Sequence, residues 1–540
     1  MLKFLRYLLL PTSLFIFALG KVYASWNTIL LGILAFWFVN IFYCFEDIRQ
    51  RIYFFIFNIT LFVFLISRPV ISFFRGDRWW YFEAKSVNFA LNGLMITLVF
   101  MLLGYSICEY LIKYKSNLPN NRLRKKNLPT PSGYFEKTEN SSFVFNLRII
   151  SLILFFISFS FLLICEMEKL TFMRSRKYVE LYTSFKSQLP YIFTTIGSAS
   201  KYFLCVFLAT LPKKKLAFIP LMLYIISAIP SLFIGLRNPI VLNIIFVFLY
   251  YFTRDTIDSF KDNGEYSKKT IYKRKINAES LNEKAKKVNK ANKSDKRKKR
   301  LKKWIGKKEW ACIILLTPIF MIFLSVYNYI REESQAESLK AIDIIIDFFY
   351  KQGVSFDVLC IGYETIPKIE YTGFKNYTFG GIIDYFTHGK LAQILWGAES
   401  FGSGNNLDVA LYSNNFSHRM SYASRGEEYL QGHGWGSSFI LETYADFGYF
   451  GIILFSILLG MFFAYTIKLI NRGSIMFAGV LIALTDIYFC PRDAALGWIS
   501  FIVYIQFIVS MVFCYILANL CIKEYRRKNH ILDTYDTIIN

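Results

Sequence analysis

The chain is poor in the residues that most soluble catalytic sites are built from. It holds 4 histidines and 13 prolines in 540 residues. Three of the histidines, His388, His418 and His433, fall in one polar stretch, and the spacing of His418 and His433 among scattered carboxylates gives no metal signature. The 9 cysteines are an odd number and most lie inside apolar runs, which excludes a disulfide framework. There is no Walker A loop, no Rossmann glycine pattern, no metal-binding cysteine cluster and no Asp-x-Asp nucleotide-sugar motif. Chemistry driven directly by a nucleotide has no visible seat here, and no cofactor or metal is expected. A cleavable signal peptide is not expected either, because the first apolar run lacks a small-residue cleavage site and reads as a retained helix. Short alternating strands of the β-barrel kind do not occur.

Apolar residues, by contrast, make up 54% of the chain and aromatics 19%, with 56 Phe and 36 Tyr. Apolar runs of about 20 residues, enough to cross a bilayer as helices, recur along its length. The expected fold class is therefore an all-α polytopic membrane protein. The net charge of +25 raises the possibility of a nucleic-acid partner, but its placement argues against one. Residues 254–308 hold 21 Lys/Arg against 7 Asp/Glu, and much of the remaining excess flanks apolar runs, as the positive-inside rule requires.

That rule gives a consistent topology of about twelve helices with both termini cytoplasmic. Spans are expected near 4–20, 26–45, 52–67, 88–112, 146–165, 190–211, 216–234 and 239–253, all within a first block, 1–253. Trp79 and Trp80, in the short outer loop after the third span, suit a membrane interface. A basic cytoplasmic insert follows at 254–308; it reads as a disordered linker near anionic lipid, with a partner-binding tail as the alternative. A ninth span covers 309–330, a large outer loop 331–436, and the last three spans (near 437–467, 474–490 and 497–521) lie within 437–521. Residues 522–540 form a cytoplasmic tail. The outer loop has 8 Lys/Arg against 13 Asp/Glu, many aromatics and glycines, and the apolar–acidic stretch Lys340–Phe356, which reads as an amphipathic helix on the membrane. Such a loop should fold as a small cap over the helices.

Candidate chemistry concentrates where this loop meets the membrane. Arg237 stands at the tip of the tight hairpin Gly235-Leu-Arg-Asn-Pro239, Arg492 in the turn Pro491-Arg-Asp493, and Arg425 in Ser-Arg-Gly-Glu-Glu. A guanidinium in such a place either pairs with phosphate in fork geometry or simply snorkels to the interface. Arg419 has the same two readings. His433, between two glycines, is either a surface residue or a general base. Glu442 and Asp446 are an i, i+4 pair on one face of a helix start, where carboxylates are favourable anyway. Glu442 should lie about one turn below the surface, where an ionised group is costly without a partner.

The stretch Gly434-Trp-Gly-Ser-Ser-Phe-Ile-Leu-Glu-Thr-Tyr-Ala-Asp-Phe-Gly-Tyr-Phe-Gly451, with the Pro491-Arg-Asp493 and Gly235-Leu-Arg237 turns, resembles bacterial Wzy-type O-antigen or capsular polysaccharide repeat-unit polymerases. So does the arrangement of many helices with one large outer loop late in the chain. Ser437-Ser-Phe-Ile-Leu441 followed by Gly448 is also similar to a motif of the related O-antigen ligases, whose first position is often a functional histidine; here it is Ser437. The resemblance implies a bacterial cytoplasmic-membrane enzyme, without a cofactor, that performs glycosyl transfer on the outer face. The donor would be a glycan on undecaprenyl diphosphate and the acceptor a lipid-linked repeat unit. It implies Arg237 and Arg492 as stabilisers of the leaving diphosphate, His433 or Glu442 as base, and Arg419, Arg425, Trp435, Ser437 and Asp446 as substrate contacts. Chain-length regulator and flippase proteins would be partners beside membrane lipid; nucleic acid would not. A ligase, or a flippase for lipid-linked oligosaccharide, is the alternative. The ligase fits less well because Ser437 replaces the histidine and because of the large basic insert. The flippase fits less well because no internal repeat is evident.

Overall fold

A computed structural model describes residues 2–117, 142–174, 176–279, 306–331, 341–370 and 376–539, and every regular element among them is a helix. Eleven helices among the described residues are long and apolar enough to cross a membrane: Leu2–Val22, Trp26–Glu46, Ile48–Arg75, Ala84–Tyr114, Ser142–Met173, Tyr191–Ala209, Lys214–Ile234, Asn238–Asp258, Phe439–Ile470, Ser474–Arg492 and Ile505–Ile522. A shorter apolar stretch, Leu315–Ser325, lies within the helix Lys307–Arg331 at the position of the expected ninth span. Helices predominate because a backbone in lipid must satisfy its own N–H and C=O groups. The helix beginning at Asn238 continues to Glu279, so the first part of the basic insert is helical. Its Lys296–Arg300 run lies outside the described residues.

The bundle is held by close backbone approach and by a few buried polar links. The helix Ala84–Asn117 packs along Phe439–Ile470. A Cβ on Gly104 would fall 2.2 Å from the Ile457 carbonyl oxygen, and one on Gly460 would fall 2.1 Å from that of Met101. Two small residues thus let the helices touch backbone to backbone, the usual device where both sides of a contact are apolar. Asn40 donates to the Asn58 side chain at 3.1 Å and to the Leu98 carbonyl at 3.3 Å, tying three helices inside the apolar core. At the face opposite the long loop, Arg6 pairs with Glu46 at 2.8 Å, Arg51 reaches Glu46 at 3.4 Å and Glu109 at 3.0 Å, and Lys113 meets Glu109 at 2.6 Å. This network joins four helices.

The expected tenth span is not one straight helix. Gly448 takes φ +62° and ψ −155°, a conformation open to glycine and not to residues with a Cβ. In a straight helix Phe439 and Phe455 would stand about 24 Å apart. Here their rings stack at 5.3 Å, and Tyr444 meets Tyr449 at 5.1 Å. A Cβ on Gly93 would touch both Ile440 at 2.9 Å and Ile452 at 3.8 Å. The chain therefore reverses at Gly448. A short helix from Phe439 to Phe447 folds back along the start of the long helix from Tyr449 to Ile470.

The long loop folds into a helical cap, as its composition suggests. Phe356, Leu359, Cys360, Phe416 and Met420 are buried in the same apolar core as the bundle. The amphipathic stretch becomes the helix Ala341–Gln352. It rests on the Ile48–Arg75 segment, where Ser67 Oγ donates to the Phe349 carbonyl at 2.9 Å. Trp79 also differs from expectation: it is buried, and its indole N–H donates to Asn27 at 3.0 Å.

The glycine contact gives a direct test. Gly460→Ala forces a methyl onto Met101, at a cost of about 1–3 kcal/mol, and should lower the melting temperature in detergent. Gly479→Ala, where a Cβ meets nothing within 4 Å, should leave it nearly unchanged. Equal melting of the two variants would contradict the packing described.

Candidate functional site

The site forms where the reversed helix meets the turn after the Ser474–Arg492 helix. Ser438 caps the short helix, its hydroxyl accepting the Ile440 N–H at 3.3 Å, and this sets Ser437 just outside the first turn. Glu442 then points from the first turn into protein and is 2% exposed. Ser437 Oγ donates to one carboxylate oxygen of Glu442 at 2.7 Å, and the Ala495 N–H donates to the other at 2.7 Å. The carboxylate thus links the reversed helix to the Pro491-Arg-Asp493 turn. Trp498 Nε1 holds the Ala495 carbonyl at 3.0 Å, which fixes the turn from its other side. The motif stretch and the Pro-Arg-Asp turn, joined by a hydrogen bond that spans 53 residues, are one structural unit.

A 3₁₀ turn over Ile487–Arg492 delivers Arg492 and Asp493 in succession. Arg492 is half-buried, donates to Gln352 Oε1 at 3.2 Å, and lies 6.0 Å from the centre of the Phe64 ring. No carboxylate pairs with it among the described residues. Phe64 sits in a π-helical turn, Phe62–Ile66, and meets Phe489 edge-on at 5.6 Å. Such turns insert an extra residue and re-aim side chains. Asp493 is exposed and accepts the Ala494 N–H at 2.8 Å; desolvation by the surrounding protein raises its carboxyl to about 6 against the pull of that N–H. An ion pair nearby ties the cap to the Ile48–Arg75 span: Arg68 meets Asp357 at 3.1 Å, and Gly353, next to Gln352, packs on Arg68. Burial raises Asp357 to about 6 while Arg68 opposes the shift.

The other expected residues distribute as follows. Asp446 does not face open space; it accepts the N–H groups of Tyr377 at 2.9 Å and Thr378 at 2.6 Å and the Thr378 hydroxyl at 2.7 Å. It pins the cap to the reversed helix. Arg419 is buried within the cap, with its guanidinium on the Leu411 carbonyl. Arg425 lies 3.9 Å over the Trp435 ring and pairs with Glu428 at 2.8 Å. Trp435 is itself held by Ser421, which accepts its N–H at 2.8 Å, and by Ser417, which donates to its carbonyl at 2.6 Å. His433 is exposed on the loop before the reversed helix, and its backbone N–H donates to the Glu428 carbonyl at 3.1 Å. His418 accepts or donates at 2.8 Å to the Tyr429 hydroxyl, and burial lowers its pKa. Arg237 is half-buried beyond Gly235, whose φ of +102° closes the preceding helix. Its hairpin packs through Leu232 and Ile240 on Leu324 and Phe348. Phe348 shares a helix with Gln352, the partner of Arg492.

The structure thus joins Ser437, Glu442 and the Arg492 turn directly, packs the hairpin that carries Arg237 against the helix that holds Gln352, and leaves His433, Arg425 and Trp435 in the cap. Asp493, Gln352 and the Arg68–Asp357 pair are additions. Asp493 stands in a turn already singled out; Gln352 and Asp357 carry no local pattern and are brought in by the fold of the cap. Glu442→Ala would leave the Ser437 hydroxyl and Ala495 N–H without an acceptor, each costing about 1–3 kcal/mol when buried. Thermal melting should show a clear loss for Glu442→Ala and a smaller one for Ser437→Ala; wild-type melting of Glu442→Ala would refute the link.

A model of the O-antigen polysaccharide polymerase family, Wzy, matches residues 3–271 and 294–525. The match covers nearly the whole chain, including both turns and the reversed helix. Neither the curated proteins nor the solved structures compared with the chain give a match.

Proposed function

Because the chain belongs to the O-antigen polysaccharide polymerase family, Wzy, and so is a polymerase acting on lipid-linked oligosaccharide, we propose that it carries out glycosyl transfer at the Arg492 turn. The donor is a growing glycan on undecaprenyl diphosphate, and the reaction takes place on the outer face of the bacterial cytoplasmic membrane, with both termini in the cytoplasm. A hydroxyl oxygen of the acceptor repeat unit attacks the donor's anomeric carbon. The carbon–oxygen bond to the diphosphate breaks, and the electron pair leaves with the diphosphate. The hydroxyl proton passes to a protein carboxylate.

The observation that carries this reading is the Arg492–Asp493 pair of neighbours. A half-buried guanidinium whose only bonded side chain is an amide among the described residues has donors left for an anion. Beside it stands a carboxyl near 6, deprotonated at neutral pH yet basic enough to take a proton. Arg492 would stabilise the departing diphosphate charge, with Arg237 as a second cation from its hairpin. Asp493 would be the base. Glu442, with both oxygens engaged, would be a positioning residue that sets the turn, in place of the base role considered for it from sequence. Ser437 and Asp446 would support it in that role, one by fixing the carboxylate and the other by docking the cap. Trp435, Arg425 and His433 would offer a sugar-binding surface on the cap, with Arg419 holding that surface in shape. Chain-length regulator and flippase proteins would act alongside.

Purified protein in liposomes with lipid-linked repeat units tests the roles by the ladder of polymer formed. Arg492→Ala should reduce the rate by about 10²–10³-fold, and Arg492→Lys less. The ladder rate should rise with pH through about 6, as Asp493 loses its proton. Asp493→Asn should slow the reaction about 10²-fold or more and flatten that rise. A normal ladder from Arg492→Ala, or an unchanged pH profile in Asp493→Asn, would reject the assignment.

A further inference from the structure

The cap carries an apolar edge that neither the bundle nor the proposed chemistry uses. Two short helices, Gly380–Thr387 and Lys390–Trp396, turn about Gly389. Their inner side is firmly attached. Ala392 is fully buried, and Asp384 accepts the Asn414 N–H at 2.9 Å and its side-chain amide at 2.8 Å. Their outer side shows Phe386 at 41%, Ile394 at 77%, Leu395 at 62% and Trp396 at 57% exposure. Three of these are consecutive, and Ile394 and Leu395 are the most exposed of the large apolar side chains among the described residues of the loop. Large apolar side chains left out this far in a group mark an interaction surface.

The attachments of this edge identify what covers it. Tyr385 accepts the N–H of Ile505 at 2.9 Å, and its ring lies 4.7 Å from that of Tyr504. Ile505 is the first residue of the last apolar span, whose Ile508 and Val509 are 47% and 57% exposed along the following turn. Lys390 Nζ lies 5.9 Å over the ring of Tyr191, the first residue of another span, where Tyr191 and Ile192 are 60% and 59% exposed. The edge therefore sits at the rim of two helices whose lipid-facing sides begin beside it. Its composition suits that level: Trp396 and the amphipathic Lys390 are residues that favour the boundary between acyl chains and headgroups.

We infer that Phe386, Ile394, Leu395 and Trp396 insert into the adjoining bilayer leaflet, so that this part of the cap is anchored in lipid over the ends of the Tyr191–Ala209 and Ile505–Ile522 spans. The occupant is the lipid surface. The anchor does not depend on the roles proposed for Arg492 and Asp493.

Photo-crosslinking in the full-length protein tests the anchor. A benzophenone amino acid is placed at Ile394 or, in a second variant, at Leu395, in nanodiscs of phosphatidylethanolamine and phosphatidylglycerol. Val509 serves as the lipid-facing reference and Ser403, exposed in the same cap, as the solvent reference. After irradiation, mass spectrometry should find phospholipid adducts at 394 and 395 at the level of 509 and several-fold above 403. Adducts no more frequent than at 403, or adducts to a second polypeptide, would overturn the inference.

Discussion

A carboxylate in a place with no water must find its donors in the protein, and the geometry around Glu442 follows from that requirement. Its two oxygens take one bond from Ser437 and one from the Ala495 backbone. The first bond fixes how the cap enters the reversed helix. The second fixes where the turn carrying Arg492 and Asp493 stands. Either bond alone would leave a buried carboxyl group half-satisfied, which is costly in an apolar surrounding. The site is therefore assembled by one side chain that itself has no free atoms to offer a substrate.

Much of the architecture was legible from residue order. Apolar runs and basic clusters mark the spans because lipid imposes a length and the membrane potential and translocation machinery impose a charge bias. Glu442 stood out because an ionisable group at membrane depth needs a reason, Arg492 because it stands in a turn at the membrane edge, and Ser437 only through the likeness to the ligase motif. The reversal at Gly448 was not legible. Phe439 to Ile470 is apolar on all sides, and such a run looks the same whether the helix is straight or folded on itself. Glycine alone cannot decide, since Gly451 and Gly460 lie within helix in the same run. Asp446 shows a related difficulty. As a carboxylate four residues after Glu442 it looked like a second site group, but its partners, Tyr377 and Thr378, come from a distant part of the cap.

The two ends of the bundle use charge in different ways. At one face Arg6, Arg51, Glu46, Glu109 and Lys113 satisfy one another across four helices and leave little to bind anything else. At the loop face Arg68 and Arg425 have carboxylate partners, whereas Arg492 has an amide. Charges cancel at the first face, whereas at the loop face one guanidinium is left without a carboxylate partner among the described residues, beside a carboxyl of raised pKa, the arrangement on which the proposed chemistry rests.

The helical reversal also constrains how the chain can vary in length. A helix advances about 100° per residue. One residue added between Phe439 and Phe447 would swing Glu442 off the Ala495 N–H, or else rotate Asp446 away from the cap. The connections inside the cap are loops, whose length costs little free energy to change. Insertions and deletions should therefore accumulate in the cap and stop abruptly at Ser437. The hairpin acts as a ruler between a region free to change in length and one whose spacing is set by a single hydrogen-bonded carboxyl group.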